Sequence, residues 1–156
     1  MKAALQLIIC VVVCFAAGGI GSLAMGRESF VWYRSLVRPA ITPPSWVFGP
    51  AWSVLYLLMG IALFLVWRRA GQVPVGAAIG VFAAQLVLNA LWTPAFFGMR
   101  SPALGLAVII PLEALIAVCV VLFWRISPAA GALLLPYLGW TGFAAVLNGL
   151  LFVMNR

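Results

Sequence analysis

Apolar residues run through this chain in long blocks, broken by short clusters of Arg, Pro, Ser and Gly. Five blocks, at 3–25, 45–67, 77–98, 102–124 and 128–153, are low in charge. Each is long enough to cross a hydrocarbon core, which takes roughly 20 helical residues. None alternates polar and apolar positions as a membrane strand does, and lipid tolerates only segments whose backbone groups pair internally. The pattern predicts an all-α integral membrane protein, one domain over 1–156 built as a bundle of five transmembrane helices. The first block follows Lys2 as a secretory leader would. It outruns a leader's apolar core of roughly 7–15 residues and has no convincing Ala-x-Ala site, so it is read as a span.

The breaks refine this picture. Ser101-Pro102 and Ser127-Pro128 each place a hydroxyl N-cap before a proline at the first helical position, and Ser45 follows Pro43-Pro44 in a similar way. Arg100 and Arg125 precede two of these starts and can meet the carbonyls that end the previous helix. Spans three to five are thus expected as tight antiparallel hairpins. Trp67-Arg68-Arg69 and Trp124-Arg125 read as interfacial anchors on one side. The long loop at 27–44 is different. It leads into the second span through WYRSLVRPAITPPSWVFGPAWSVLY (32–56), which is far denser in rings, guanidinium groups and prolines than a connector needs. A lid is expected there.

Composition agrees, with 67% hydrophobic and 7% charged residues against about a quarter charged in a soluble domain. The net charge of +7 is spread over helix ends rather than gathered on one face, which fits membrane anchoring and not nucleic-acid binding. Lys2, Arg68, Arg69 and Arg125 share one side of the membrane; Arg27, Arg34, Arg38, Arg100 and Arg156 share the other. The positive-inside rule then favours a cytoplasmic long loop and C-terminus. With no His and only two acids, Glu28 and Glu113, neither a hydrolase nor a metalloenzyme is expected, and no metal or required cofactor is assigned. Cys10 and Cys14 share a helical face and, like Cys119, read as small packing residues. Glu113, deep in the fourth span, is either a functional acid or a hydrogen-bonded structural one.

Polar and aromatic positions inside the membrane carry more. Helical spacing groups Trp52 with Tyr56, Asn89 with Trp92, and Trp140 with Ala144 and Asn148. Three spans so carry large rings and amides into the bilayer half beneath the aromatic loop. That arrangement suits a pocket for a flat, largely apolar ligand, with stacking from the rings and orientation from the amides. Interhelical hydrogen bonding is the competing account for each residue taken alone. Gly76, Gly80 and Ala84 make a small-residue stripe on the third span, suited to a homodimer contact or to internal packing.

Three motifs give the chain a close resemblance to the TspO/MBR family, the bacterial tryptophan-rich sensory proteins and mitochondrial translocator proteins. The first is Trp32-Tyr33…Leu36…Arg38-Pro39…Pro43-Pro44…Trp46-Val47-Phe48…Pro50…Trp52…Leu55-Tyr56. The second is Gln85…Leu88-Asn89…Trp92…Pro94…Phe96-Phe97-Gly98…Arg100, and the third Pro136-Tyr137-Leu138…Trp140…Phe143-Ala144…Leu147-Asn148. The resemblance implies a dimeric five-helix bundle, multi-pass in a bacterial membrane, that binds porphyrins such as protoporphyrin IX. It implies a ligand site of Tyr33, Trp52, Asn89, Trp92, Thr93, Trp140, Ala144 and Asn148, and a dimer stripe at Gly80 and Ala84. Some bacterial members degrade protoporphyrin in light through two tryptophans that correspond to Trp52 and Trp140.

Departures temper the comparison. Ile41 stands where many relatives have Trp, and Gly149 and Leu150 interrupt the sterol-recognition pattern of the animal proteins, so sterol binding is not carried over. Porphyrin receptor or regulator is the leading expectation, with light-dependent porphyrin breakdown as an alternative. A transporter of tetrapyrroles or other hydrophobic solutes is a further one, although no inverted repeat is visible.

Overall fold

A backbone dissolved in lipid must pair its own N–H and C=O groups, and this one does so almost entirely in helices. The structure, a computed structural model, describes residues 2–156. Its elements are α1 (Lys2–Ser22), α2 (Arg27–Ser35), α3 (Ser45–Trp67), α4 (Gly76–Thr93), a π-helical turn at Pro94–Gly98, α5 (Pro102–Ile126) and α6 (Pro128–Met154). Five of these, with the π turn continuing α4 to Gly98, are long and apolar enough to span a membrane. The expected all-α bundle of five transmembrane helices is the architecture found. The first span is shorter than its predicted 3–25, ending at Ser22.

The segment 27–44 is not a loop throughout. Its first part is α2, with Glu28 in its first turn and Arg34 in its last, where each charge complements the helix dipole. No Gly or Pro falls between Arg27 and Ser35 to break it. The helix is amphipathic and lies outside the spans, so aromatic density there marks a docked helix and not a coil.

α5 runs along both α6 and α4, α1 packs on α3 and α4, and α3 also meets α6. Ser101 caps α5 as expected, its hydroxyl accepting from the Leu104 N–H at 3.3 Å. Ser127 does not cap with its hydroxyl; its N–H instead closes α5 on Phe123 O at 2.7 Å, because one residue serves both helix ends in so short a turn. Ser45 makes no cap either, since Pro44 holds the N-cap position. Nor does Arg100 cover the carbonyls ending α4. It reaches Glu28 of α2 at 3.4 Å, and its backbone turns left-handed (φ 52°) to leave the π turn.

Close helix approach depends on bare backbone at Gly60 and Gly21 as well as at Gly131 in the α5–α6 hairpin. A Cβ on Gly60 of α3 would stand 2.6 Å from Val11 Cα of α1. A Cβ on Gly21 of α1 would stand 2.8 Å from the carbonyl oxygen of Ala90. Pro94 has no N–H to offer that oxygen, so the carbonyl protrudes and only glycine lets α1 pass it. The core below is apolar, with Phe82 and Phe123 stacked at 5.5 Å among Met59, Ile116 and Leu134.

Gly60→Ala is expected to destabilise the bundle by about 1–3 kcal/mol, the usual penalty for overpacking. Gly139→Ala, where a Cβ meets nothing within 4 Å, is expected to be neutral or slightly stabilising. Thermal midpoints of the two variants in one detergent check both.

Candidate functional site

Pro94 shapes the site. Without a proline N–H the α ladder fails, and α4 ends in a π turn closed by the Met99 N–H on Pro94 O at 2.8 Å. The wider turn swings Phe96 and Phe97 toward α2. Phe96 is buried and serves as the dock: it stacks on Trp92 at 5.5 Å and meets Trp32 edge-on at 5.5 Å and Tyr33 at 6.2 Å. Tyr33 also meets Phe97 at 5.4 Å. Leu36, Leu147 and Leu151 fill in around this aromatic group.

Beneath the docked helix lies a cavity of about 530 Å³. Its side walls are Trp52, Phe48, Trp92, Phe96 and Phe97, with Ala144, Leu147 and Leu151 from α6. Arg34, Arg38, Thr42 and Pro43 close the lid side. Tyr56 and Asn89 make the floor, where a hydrogen-bonded chain ties three helices. Tyr56 donates to Asn89 Oδ1 at 2.8 Å, Asn89 Nδ2 donates to the Tyr137 hydroxyl at 3.0 Å, and that hydroxyl donates to Gln85 Oε1 at 2.9 Å. Trp52 stacks on Tyr56 at 5.4 Å and is held in place from behind by Tyr137 at 6.2 Å.

Seven of the eight ligand positions expected from sequence share this wall: Tyr33, Trp52, Asn89, Trp92, Thr93, Ala144 and Asn148. Trp140 is not among them. Its ring lies edge-on to Phe48 at 5.9 Å, and Phe48 occupies the wall instead. Four helical residues overshoot a full turn by about 40°, so Trp140 is rotated about 80° from Asn148 on α6. Of the two tryptophans named for a light-driven reaction, Trp52 alone faces the cavity. Ile41 is about half exposed and stands outside the wall.

Polar capacity in the wall is sparse. Asn148 is buried and its Nδ2 is engaged with Pro102 O at 2.7 Å, which makes it chiefly a tie between α6 and α5. Trp92 Nε1 and Asn148 Oδ1, both on residues of the cavity wall, are buried with no partner in the protein. Arg34 and Arg38 have no carboxylate partner; the one ion pair among the described residues joins Arg100 to Glu28. Burial pushes the Tyr33 phenol above its ordinary range, and the nearby Arg38 guanidinium partly opposes this. Glu113 does not line the cavity; its carboxyl accepts from the Thr141 hydroxyl, joining α5 to α6.

The sequence reading missed Phe48, Phe96, Phe97 and the two arginines as wall residues. For Phe96 and Phe97 the signal was Pro94, which shifts them out of α-helical register. Gly76, Gly80 and Ala84 are exposed on the outer face of α4, so the stripe does not serve packing within the protomer.

These features define a multi-pass helical membrane protein with an aromatic-lined cavity beneath a short amphipathic helix. The chain belongs to the TspO/MBR family, whose sequence model matches residues 10–153. It is 39% identical to the tryptophan-rich protein TspO of Chlorobaculum tepidum, with 99% of this chain and 98% of the relative covered. It is 40% identical to the tryptophan-rich sensory protein of Cereibacter sphaeroides (86% and 82% covered) and 37% to the human translocator protein (83% and 78%).

Asn89→Leu is expected to cost about 1–3 kcal/mol, because it takes the partner from the half-buried Tyr56 hydroxyl and leaves the buried Tyr137 only its Gln85 bond. The thermal midpoint reads this. The Tyr33 phenol keeps its proton in the folded protein to higher pH than in the unfolded chain. Its contribution to stability is therefore present below the ordinary value and lost as pH rises through the folded one. Arg38→Gln is expected to move tyrosinate formation at Tyr33 to still higher pH, as followed by absorbance against a Tyr33→Phe control.

Proposed function

We propose that this protein is a membrane receptor or regulator that binds porphyrins of the protoporphyrin IX type in the cavity beneath α2. The observation that carries the reading is a ring-lined cavity of about 530 Å³ with Arg34 and Arg38 on its lid side. Its volume falls in the range of small-molecule sites, roughly 300–1,000 Å³. Trp52, Trp92 and Phe96 offer faces and edges to a flat macrocycle. Arg34 and Arg38 at the lid side suit the carboxylates such tetrapyrroles carry. Family membership supports the same reading. With Trp140 behind Phe48, no second reading based on paired tryptophans is favoured.

The exposed Gly76, Gly80 and Ala84 face supports, in addition, a homodimer through α4. A side chain at Gly80 meets nothing within 4 Å inside the protomer. Gly80→Leu is therefore expected to yield a folded monomer, as read by mass in detergent; an unchanged dimer contradicts the proposed contact.

Titration of the purified protein with protoporphyrin IX in the dark is expected to quench Trp fluorescence saturably. Trp52→Leu is expected to weaken binding roughly two- to tenfold, the worth of one ring contact. Trp140→Phe is expected to leave affinity unchanged. Absence of saturable quenching in the wild type would overturn the reading.

A further inference from the structure

Between α2 and α3 the chain runs without regular structure from Leu36 to Pro44, and this strap brings Arg38, Thr42 and Pro43 to the cavity. Little within it is self-supporting. Its internal bonds are those of one turn, where the Thr42 N–H and hydroxyl both donate to Pro39 O at 3.0 and 2.7 Å. Val37, Arg38 and Ile41 are exposed, so apolar burial does not hold them.

One residue outside the lid grips this strap. Asn155, immediately after α6, accepts the Val37 N–H on Oδ1 at 2.9 Å and donates from Nδ2 to Val37 O at 3.0 Å. Its second amide hydrogen goes to Leu151 O at 2.9 Å, one of the carbonyls left open by the end of α6. The amide so pairs with one main-chain residue as a neighbouring strand would, while anchored to its own helix. Apart from the Val47 N–H on Pro44 O at 3.0 Å, which starts α3, these are the only hydrogen bonds among the described residues from 36–44 to a membrane-spanning helix or its end.

We propose that Asn155 is the clasp of the lid: by gripping both main-chain groups of Val37 it holds the strap over the cavity and sets how long a ligand stays beneath it. The residence part rests on the ligand reading above; the grip on the strap does not. Both contacts on the strap are to main chain, so the identity of residue 37 matters little and that of residue 155 matters a great deal. Aspartate at 155 keeps the acceptor but loses both donors and sets a carboxylate oxygen against Val37 O. Glutamine keeps every group but sets them one methylene too far from Leu151 O. Alanine loses everything.

Hydrogen exchange of the strap in nanodiscs, followed peptide by peptide, tests the grip without any ligand. In Asn155→Ala and Asn155→Asp the Val37 amide is expected to exchange about tenfold faster or more, the equivalent of one to two ordinary hydrogen bonds. Exchange in α3 and in α6 ahead of its last turn is expected to stay as in the wild type and the thermal midpoint to change little, since Asn155 bonds only the final turn of α6. Stopped-flow dissociation of protoporphyrin IX is expected to speed up in both variants by a similar factor, with a smaller effect for Asn155→Gln. Unchanged exchange at Val37 overturns the clasp. Faster exchange with unchanged dissociation overturns its control of residence. A wild type that binds no protoporphyrin sinks the reading of the cavity, and the exchange result still decides the clasp.

Discussion

Asn89 holds the centre of this protein. Its amide joins Tyr56 of α3 to Tyr137 of α6, and Tyr137 carries the chain on to Gln85, one turn back along α4. In lipid these groups have no water to turn to, so they pair with one another, and Gln85 Nε2 is left at the end of the chain without a partner. This pairing fixes the mutual rotation of three helices. That rotation aims Trp52, Tyr56 and Ala144 into a common space, so the bonds that hold the bundle also make the floor of the cavity.

The upper half is built by a second constraint, the missing N–H of Pro94. It produces the π turn, frees the Ala90 carbonyl against Gly21, and swings Phe96 out to receive Trp32 and Tyr33 of α2. Floor and lid thus have separate origins, an amide network and a proline. They meet at Trp92, which stacks on Phe96 one helical turn beyond Asn89. α2 is held by aromatic contacts and the strap that follows it by hydrogen bonds to Asn155.

The five spans were legible in the sequence because hydropathy over about 20 residues is a local property with little competition. Most of the cavity wall was legible too, since i, i+4 and i, i+3 spacings place Trp52 with Tyr56 and Asn89 with Trp92 whatever the partner helices do. The misreadings have physical causes. Trp140 was assigned by two four-residue steps, over which a straight helix drifts far enough for Phe48 to take its place. α2 was hidden because rings and flanking prolines suggested coil where an amphipathic helix docks. The partner of Glu113, Thr141, and the grip of Asn155 on Val37 join residues far apart in the chain. No local pattern contains such pairings.

Filling the cavity from its wall tests the account most directly. Ala144 faces the space from α6, whereas Val146 on the same helix points away and is exposed. Ala144→Phe is expected to abolish saturable protoporphyrin IX binding while Val146→Phe retains it, both with the wild-type thermal midpoint. Wild-type affinity in a folded Ala144→Phe protein would contradict the claim that the ligand sits in this cavity.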